Sequence, residues 1–239
     1  MPVRRSVFSA LAVLLLASPA IADVITVPNY SFENPVTPFA TPSIDVWQSS
    51  FGYASQTAGV FVNTGTDAAD HITNLDQNQA AFMFQVTGLS LSQTLSDTFQ
   101  AGSTYQLTVG IQGGGGMPLN APMALELYYL DGGGNPVPVA TSTVLNTNPA
   151  GNNITFLPDR QLLMANPVLP GDPEVGKNIG VALVQTQTAA GQYYWDLDNV
   201  RLATVPEPGS IALLAAGGLG LCVLARRRML AKRACAAGG

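Results

Sequence analysis

Positive charge, cysteine and histidine are all scarce in this chain of 239 residues. Of its ten Lys and Arg residues, only Arg160, Lys177 and Arg201 lie between residues 23 and 204, a stretch that holds fourteen of the fifteen acids, all but Glu207. That stretch therefore carries three bases against fourteen acids, a net charge of −11, where the whole chain carries −5. So acidic a surface argues against nucleic acid and anionic lipid as partners. The two cysteines, Cys222 and Cys235, both fall after residue 204, so the central stretch has neither a disulfide nor thiol chemistry and relies on its core or on a metal. With no cysteine in that stretch and a single histidine, His71, a Cys–His pair is excluded and one candidate base is left for a Ser-His-Asp triad. No G-x-S-x-G is present. Helix signals are also scarce between 23 and 204, where no long stripe of period 3.6 occurs.

Long apolar runs are confined to the ends. Residues 1–22 set Arg4 and Arg5 before an apolar core over 7–17 and close on Ala20-Ile21-Ala22. This is the pattern of a signal peptide cut by signal peptidase between Ala22 and Asp23, so these residues are set apart from the fold. At the other end, Val205-Pro206-Glu207-Pro208 precedes an uncharged run over 211–225 and then Arg226, Arg227 and Arg228. The prolines end any preceding strand. The run suits a membrane-inserted helix, though it is shorter than the roughly 20 residues of a full span, and the arginines would stay on the cytoplasmic side.

This order of Pro-Glu-Pro motif, apolar helix and arginine cluster resembles the PEP-CTERM sorting signal of Gram-negative bacteria. The resemblance implies processing by an exosortase-type membrane transpeptidase, transient anchoring in the inner membrane, and release to the cell surface or extracellular matrix. Residues 229–239 continue beyond the usual end of that pattern.

Between the two ends, alternation of period 2 dominates. Tyr105, Leu107, Val109 and Ile111 point one way and Gln106, Thr108 and Gln112 the other, a half-buried antiparallel strand. Residues 123–130 repeat the pattern, with Glu126 and Tyr128 opposite Met123, Leu125 and Leu127. Further strands are predicted over 80–86, 89–95, 139–144, 179–185 and 193–202, with an N-terminal strand from 24–27 and 31–32. The runs 113–116 and 132–134 are all glycine and read as turns, since no phosphate-loop sequence follows them. Many short strands with Gly- and Pro-rich turns predict an all-β antiparallel sandwich or jelly roll over residues 23–204.

Asn29-Tyr-Ser-Phe-Glu33 near the start, Ala101-Gly-Ser-Thr-Tyr105 before the central strand and Asp198-Asn-Val-Arg-Leu202 at the close are similar to motifs of the galactose-binding-like jelly rolls, which include many carbohydrate-binding modules. The resemblance implies two packed sheets with the first and last strands close together. It also implies a structural calcium between the opening Glu33 and the closing Asp198, with Asp196 as a third ligand. The alternative is that these carboxylates cap backbone groups at the sheet edge. Plain alternation puts Asp196, Asp198, Val200 and Leu202 on one face, which draws Asp198 inward, where an ionised carboxylate needs a partner.

Sugar binding asks for an exposed aromatic face beside hydrogen-bonding groups, which nominates Tyr128 with Glu126, and Trp47. Asp67, Asp70, His71 and Asp76 lack calcium-loop spacing and read as a solvated loop. The sequence as a whole predicts an exported, non-enzymatic surface or matrix protein that binds carbohydrate such as exopolysaccharide. The alternatives are a purely structural or adhesive protein and a polysaccharide-active enzyme using a carboxylate pair.

Overall fold

Short alternating segments separated by Gly, Pro and Asn build twelve strands in the computed structural model, which describes residues 22–149, 153–187 and 193–205. In chain order these are β1 (Val24–Ile25), β2 (Ala40–Thr41), β3 (Gln48–Ser49), β4 (Ala58–Val62), β5 (Gln79–Phe84), β6 (Ser90–Thr98), β7 (Thr104–Gly114), β8 (Pro122–Leu130), β9 (Pro136–Leu145), β10 (Asp159–Leu163), β11 (Asn178–Gln185) and β12 (Tyr194–Val205). They form two antiparallel sheets. One has seven strands, ordered β10-β7-β12-β5-β4-β2 with β1 against β12; the other has five, ordered β3-β6-β11-β8-β9. The predicted jelly-roll sandwich is thus observed. Its first and last strands pair, Val24 opposite Ala203 and Ile25 opposite Leu202, and residues Asp23–Val205 form one compact unit. The only helix among the described residues is the short 3-10 turn Tyr53–Ser55. The sorting residues Pro206, Glu207, Pro208, Arg226, Arg227 and Arg228, the 211–225 run and Ala20 lie outside the described residues.

The core between the sheets collects one face of each long strand: Tyr105, Leu107, Val109 and Ile111 from β7, Met123, Leu125 and Leu127 from β8, Ile179, Val181 and Leu183 from β11. Trp47 belongs to this core. It is 3% exposed, its ring lies 5.3 Å from that of Phe32, and its indole N–H donates to the Asn29 carbonyl. It therefore offers no open face to a sugar. Residues 31–32 form a turn rather than a strand. Asn29 and Phe32 both have positive φ, 48° and 55°, and the Asn29 side chain ties the turn shut through the Asn34 N–H and carbonyl.

Two departures from plain alternation shape the rest. Gly113 and Gly114 continue β7 rather than turning, and the turn begins only at Gly115 and Gly116, with φ of 65° and 80°. In β12 the register shifts between Asp198 and Arg201. Asn199 takes φ 53°, a conformation asparagine tolerates better than most residues, and the next N–H leaves the sheet to donate to the Tyr30 carbonyl. This bulge reverses the facing of the strand. Trp195 and Leu197 enter the core before it, and Val200 and Leu202 after it. Asp196 and Asp198 consequently point away from Val200 and Leu202, onto the outer face of the seven-stranded sheet.

Candidate functional site: an aromatic cavity around Asp196

The outer face of the seven-stranded sheet is aromatic where β5 and β12 meet. Phe82 pairs with Asp196 and Phe84 with Tyr194, while Ala81 and Met83 take the core face. The Phe82 and Phe84 rings are 5.4 Å apart, and Phe84 meets Tyr194 edge-on at 6.4 Å. A glycine at 114 is required beside them: a Cβ there would come within 2.6 Å of the Tyr194 ring and 2.7 Å of Ile154.

Two asparagines bring loops over this face. The Asn63 side chain bonds both the N–H and the carbonyl of Ile72, closing the 63–72 loop. The Asn74 side chain does the same to Leu157, and Thr73 pairs with Thr155. Ile72, Ile154 and Leu157 then form a second small core with Phe61, Leu75 and Tyr194. Between these loops and the sheet lies a cavity of about 420 Å³, walled by Phe39, Phe61, Phe82, Phe84, Ile154 and Tyr194, with Asp196 in its wall and Asp70 among its lining. A smaller cavity of about 270 Å³ with a mixed lining, Gln112, Thr147 and Asn148 beside Pro149, Phe156 and Pro158, adjoins it through Asn153 and Ile154.

Asp196 is 6% exposed and has no hydrogen-bond or ion-pair partner among the described residues. Gln112, its cross-strand neighbour on β7, is committed elsewhere, to Asn146 and Thr147. Burial alone pushes the Asp196 carboxyl well above the usual carboxylate range. The Tyr194 hydroxyl is also raised, first by burial and then by the charges of Asp196 and, more weakly, Asp70. The cavity thus pairs aromatic walls with a carboxyl that burial pushes towards its protonated form, a combination suited to general-acid work.

The other nominated residues are distributed differently. Glu33 and Asp198 do come together, with Asp76: burial first, then the charges of Asp76 and Glu33, push Asp198 up to about 7 against the pull of two backbone N–H groups. Glu33 accepts from the N–H groups of Asn78 and Gln79, and Asp198 from those of Asp76 and Asn199. Both carboxylates cap backbone, as the alternative reading expects. Asp196 stands in the cavity wall instead, and no group of three or more His, Cys, Asp or Glu suited to a metal occurs among the described residues. Tyr128 shares an outer face with Glu126 as predicted, but it is 5% exposed and its hydroxyl meets Thr94, so its ring is no open platform. Burial raises the Glu126 carboxyl. Asp23 is fixed by Thr204, whose hydroxyl accepts from its N–H. Asp67 and Asp70 are exposed on their loop, and Asp70 also lines the cavity; the His71 Nδ1 lies 2.7 Å from the Thr64 carbonyl.

The family model for HpiC1-like proteins, described as HpiC1 cyclase, matches residues 23–203. The chain belongs to the HpiC1-like family. The PEP-CTERM protein-sorting motif matches residues 204–228, so this family member carries an export signal that implies exosortase-mediated processing and surface localisation. No curated protein matches the chain. Among solved structures, the Stig cyclase Fisc from Fischerella sp. TAU, in complex with (3Z)-3-(1-methyl-2-pyrrolidinylidene)-3H-indole, superposes with a TM-score of 0.59 at 21% identity over 79% of this chain and 100% of that one. A cyclase from Fischerella sp. TAU bound to 4-(1H-indol-3-yl)butan-2-one gives 0.57 at 22% identity over 78% and 99%. A carbohydrate-binding module, TmCBM61 in complex with beta-1,4-galactotriose, gives 0.42 at 17% identity over 76% and 97%. At these identities the likeness is one of fold. The sequence holds no triad or metal motif, but a lone buried acid leaves no such motif. Membership of a cyclase family points towards an enzyme.

Proposed function

We propose that the Asp196 cavity is a general-acid site for an apolar, ring-bearing small molecule, carried by an exported member of the HpiC1-like family. The observation behind this reading is a buried carboxyl, without a partner among the described residues, in an aromatic wall. Asp196 donates its proton to an unsaturated carbon or a heteroatom of the substrate. An electron pair within the same molecule closes a ring onto the cation so formed, and a proton then leaves the product for the Asp196 carboxylate. The net change is an isomerisation that consumes no oxidant or second substrate. The aromatic faces stabilise the cation.

The test uses 4-(1H-indol-3-yl)butan-2-one, followed by thermal midpoint and intrinsic fluorescence. A ligand that binds the folded state alone raises stability by about 2.7 kcal/mol at a hundred times its Kd. Binding weakened about tenfold or more by Phe82→Ala supports the reading, in the range expected when apolar groups are removed from a pocket. No binding of the indole, with a clear shift from a polysaccharide, would favour the second reading, an exopolysaccharide-binding surface protein of a Gram-negative bacterium. That reading draws on the jelly-roll fold and the sorting signal.

Calcium held by Glu33 and Asp198 is a separate proposal. It draws on the jelly-roll resemblance and on the mutual repulsion of Glu33, Asp76 and Asp198, with backbone carbonyls needed to fill the six to eight oxygen positions. A thermal midpoint that rises in calcium relative to chelator, with the rise lost in Asp198→Asn, supports it; an unchanged midpoint overturns it.

A further inference from the structure

We propose that the Asp196 cavity selects ligands bearing a positive charge, its natural ligand being an aromatic or polycyclic amine in its ammonium form. The inference rests on reading this cavity as a ligand site and adds to it the charge of the ligand.

Three features of the cavity converge on a cation. Its walls present the rings of Phe39, Phe61, Phe82, Phe84 and Tyr194, and the electron-rich faces of such rings attract an ammonium, most strongly where water is excluded. Asp70 lies among the lining residues, exposed at the mouth, and its charge already reaches Tyr194. Among the described residues no Lys, Arg or His lines the cavity. The bases of the 23–204 stretch are engaged or remote: Arg201 pairs with Asp159 at 2.6 Å, Arg160 donates to Thr147, and Lys177 adjoins the start of β11. An anion would therefore enter without a counter-charge, beneath fourteen acids. An amine would meet ring faces within and a carboxylate at the entrance, and the field of an acidic domain would draw it there.

Asp196 fits the same ligand. It is nine-tenths buried, lines the cavity and has no partner among the described residues, so its oxygens are free to accept from an ammonium N–H and, once ionised, to serve as its counter-ion.

Tryptamine, tryptophol and indole-3-propionate share one ring system and carry an ammonium, a neutral hydroxyl and a carboxylate respectively. Titration of the protein with each at low and at physiological salt, read by calorimetry, tests the proposal. The expected order is tryptamine tightest and indole-3-propionate weakest. Tryptamine should exceed tryptophol by about tenfold, equivalent to about 1.4 kcal/mol, and the margin should shrink with salt. In Asp70→Asn the tryptamine-to-tryptophol ratio should fall towards one. Equal affinities, a preference for the anion, or a ratio untouched by Asp70→Asn overturns the charge proposal while leaving the cavity a ligand site. Binding by none of the three removes the ligand site and the charge proposal together.

Discussion

Asp196→Asn is expected to abolish acid-dependent turnover in the cavity while leaving the protein folded, and to make it more stable than the wild type at neutral pH. Asparagine matches the shape of a protonated aspartic acid but has no proton to give. For a substrate that the cavity turns over, kcat should fall by about 10²–10⁴-fold, the range that general-acid catalysis supplies. The stability arm follows from the raised carboxyl. In the unfolded chain this aspartate ionises near its ordinary value, about 3.9; in the folded protein it holds its proton to higher pH. Between those two values the folded state binds more protons, so wild-type stability falls as pH rises from about 4 and levels off only above the folded-state value. The variant lacks this loss. Below about pH 4 the two proteins should be equally stable, and their urea midpoints should diverge progressively above it. Asp198, pushed up to about 7 chiefly by burial, causes its own decline between about pH 4 and 7, which Asp196→Asn leaves in place. Parallel pH–stability curves, or unchanged turnover, would show that Asp196 is neither buried neutral nor the acid.

The same residue shows how far the sequence could be read. The sandwich was legible because β7 and β8 alternate without interruption: Tyr105, Leu107, Val109 and Ile111 occupy the core as their spacing requires. The short β2, β3 and β4 and the strand β10 escaped notice, being two to five residues long. The cavity was legible only in fragments. On β5 both faces are apolar, Ala81 and Met83 towards the core and Phe82 and Phe84 towards the cavity, so no alternation reveals that two faces are in use. On β12 plain alternation gives the wrong facing for Asp196 and Asp198, because Asn199, one residue with positive φ, reverses it. An asparagine between two apolar positions at the end of a strand was the signal available. Asp70 was set aside with its loop because loops advertise polarity and not destination; it is the Asn63 bonds to Ile72 that carry the loop over the sheet. Trp47 misled for a different reason. Tryptophan serves cores and sugar platforms alike, and only its packing decides between them.

That packing sets the expected result for Trp47→Ala: a loss of about 3–5 kcal/mol of stability, with affinity for an indole probe retained below the lowered midpoint. The indole stacks on Phe32 at 5.3 Å and donates to the Asn29 carbonyl. It thereby pins a turn in which Asn29 and Phe32 hold positive φ, and every later residue of that element depends on it. Glu33 accepts from the N–H groups that open β5 at Asn78 and Gln79, the Gln79 side chain reaches back to the carbonyls of Phe32 and Pro35, and Tyr30 receives the N–H freed by the β12 bulge. Removing the indole opens a void in the core and loosens the start of β5 and the bend of β12 together. Because small domains are stable by about 5–15 kcal/mol in total, the variant should unfold at much lower urea, with little change in slope. Phe32→Ala should reproduce the effect, and the double variant should lose less than the sum of the two, since each ring packs on the other. A sugar platform would behave oppositely: Trp47→Ala would then leave the urea midpoint near that of the wild type and remove binding to a polysaccharide. The 3% exposure of Trp47 makes the first outcome the expected one, and it assigns the tryptophan to the support of the two strands that carry Phe82, Phe84, Tyr194 and Asp196.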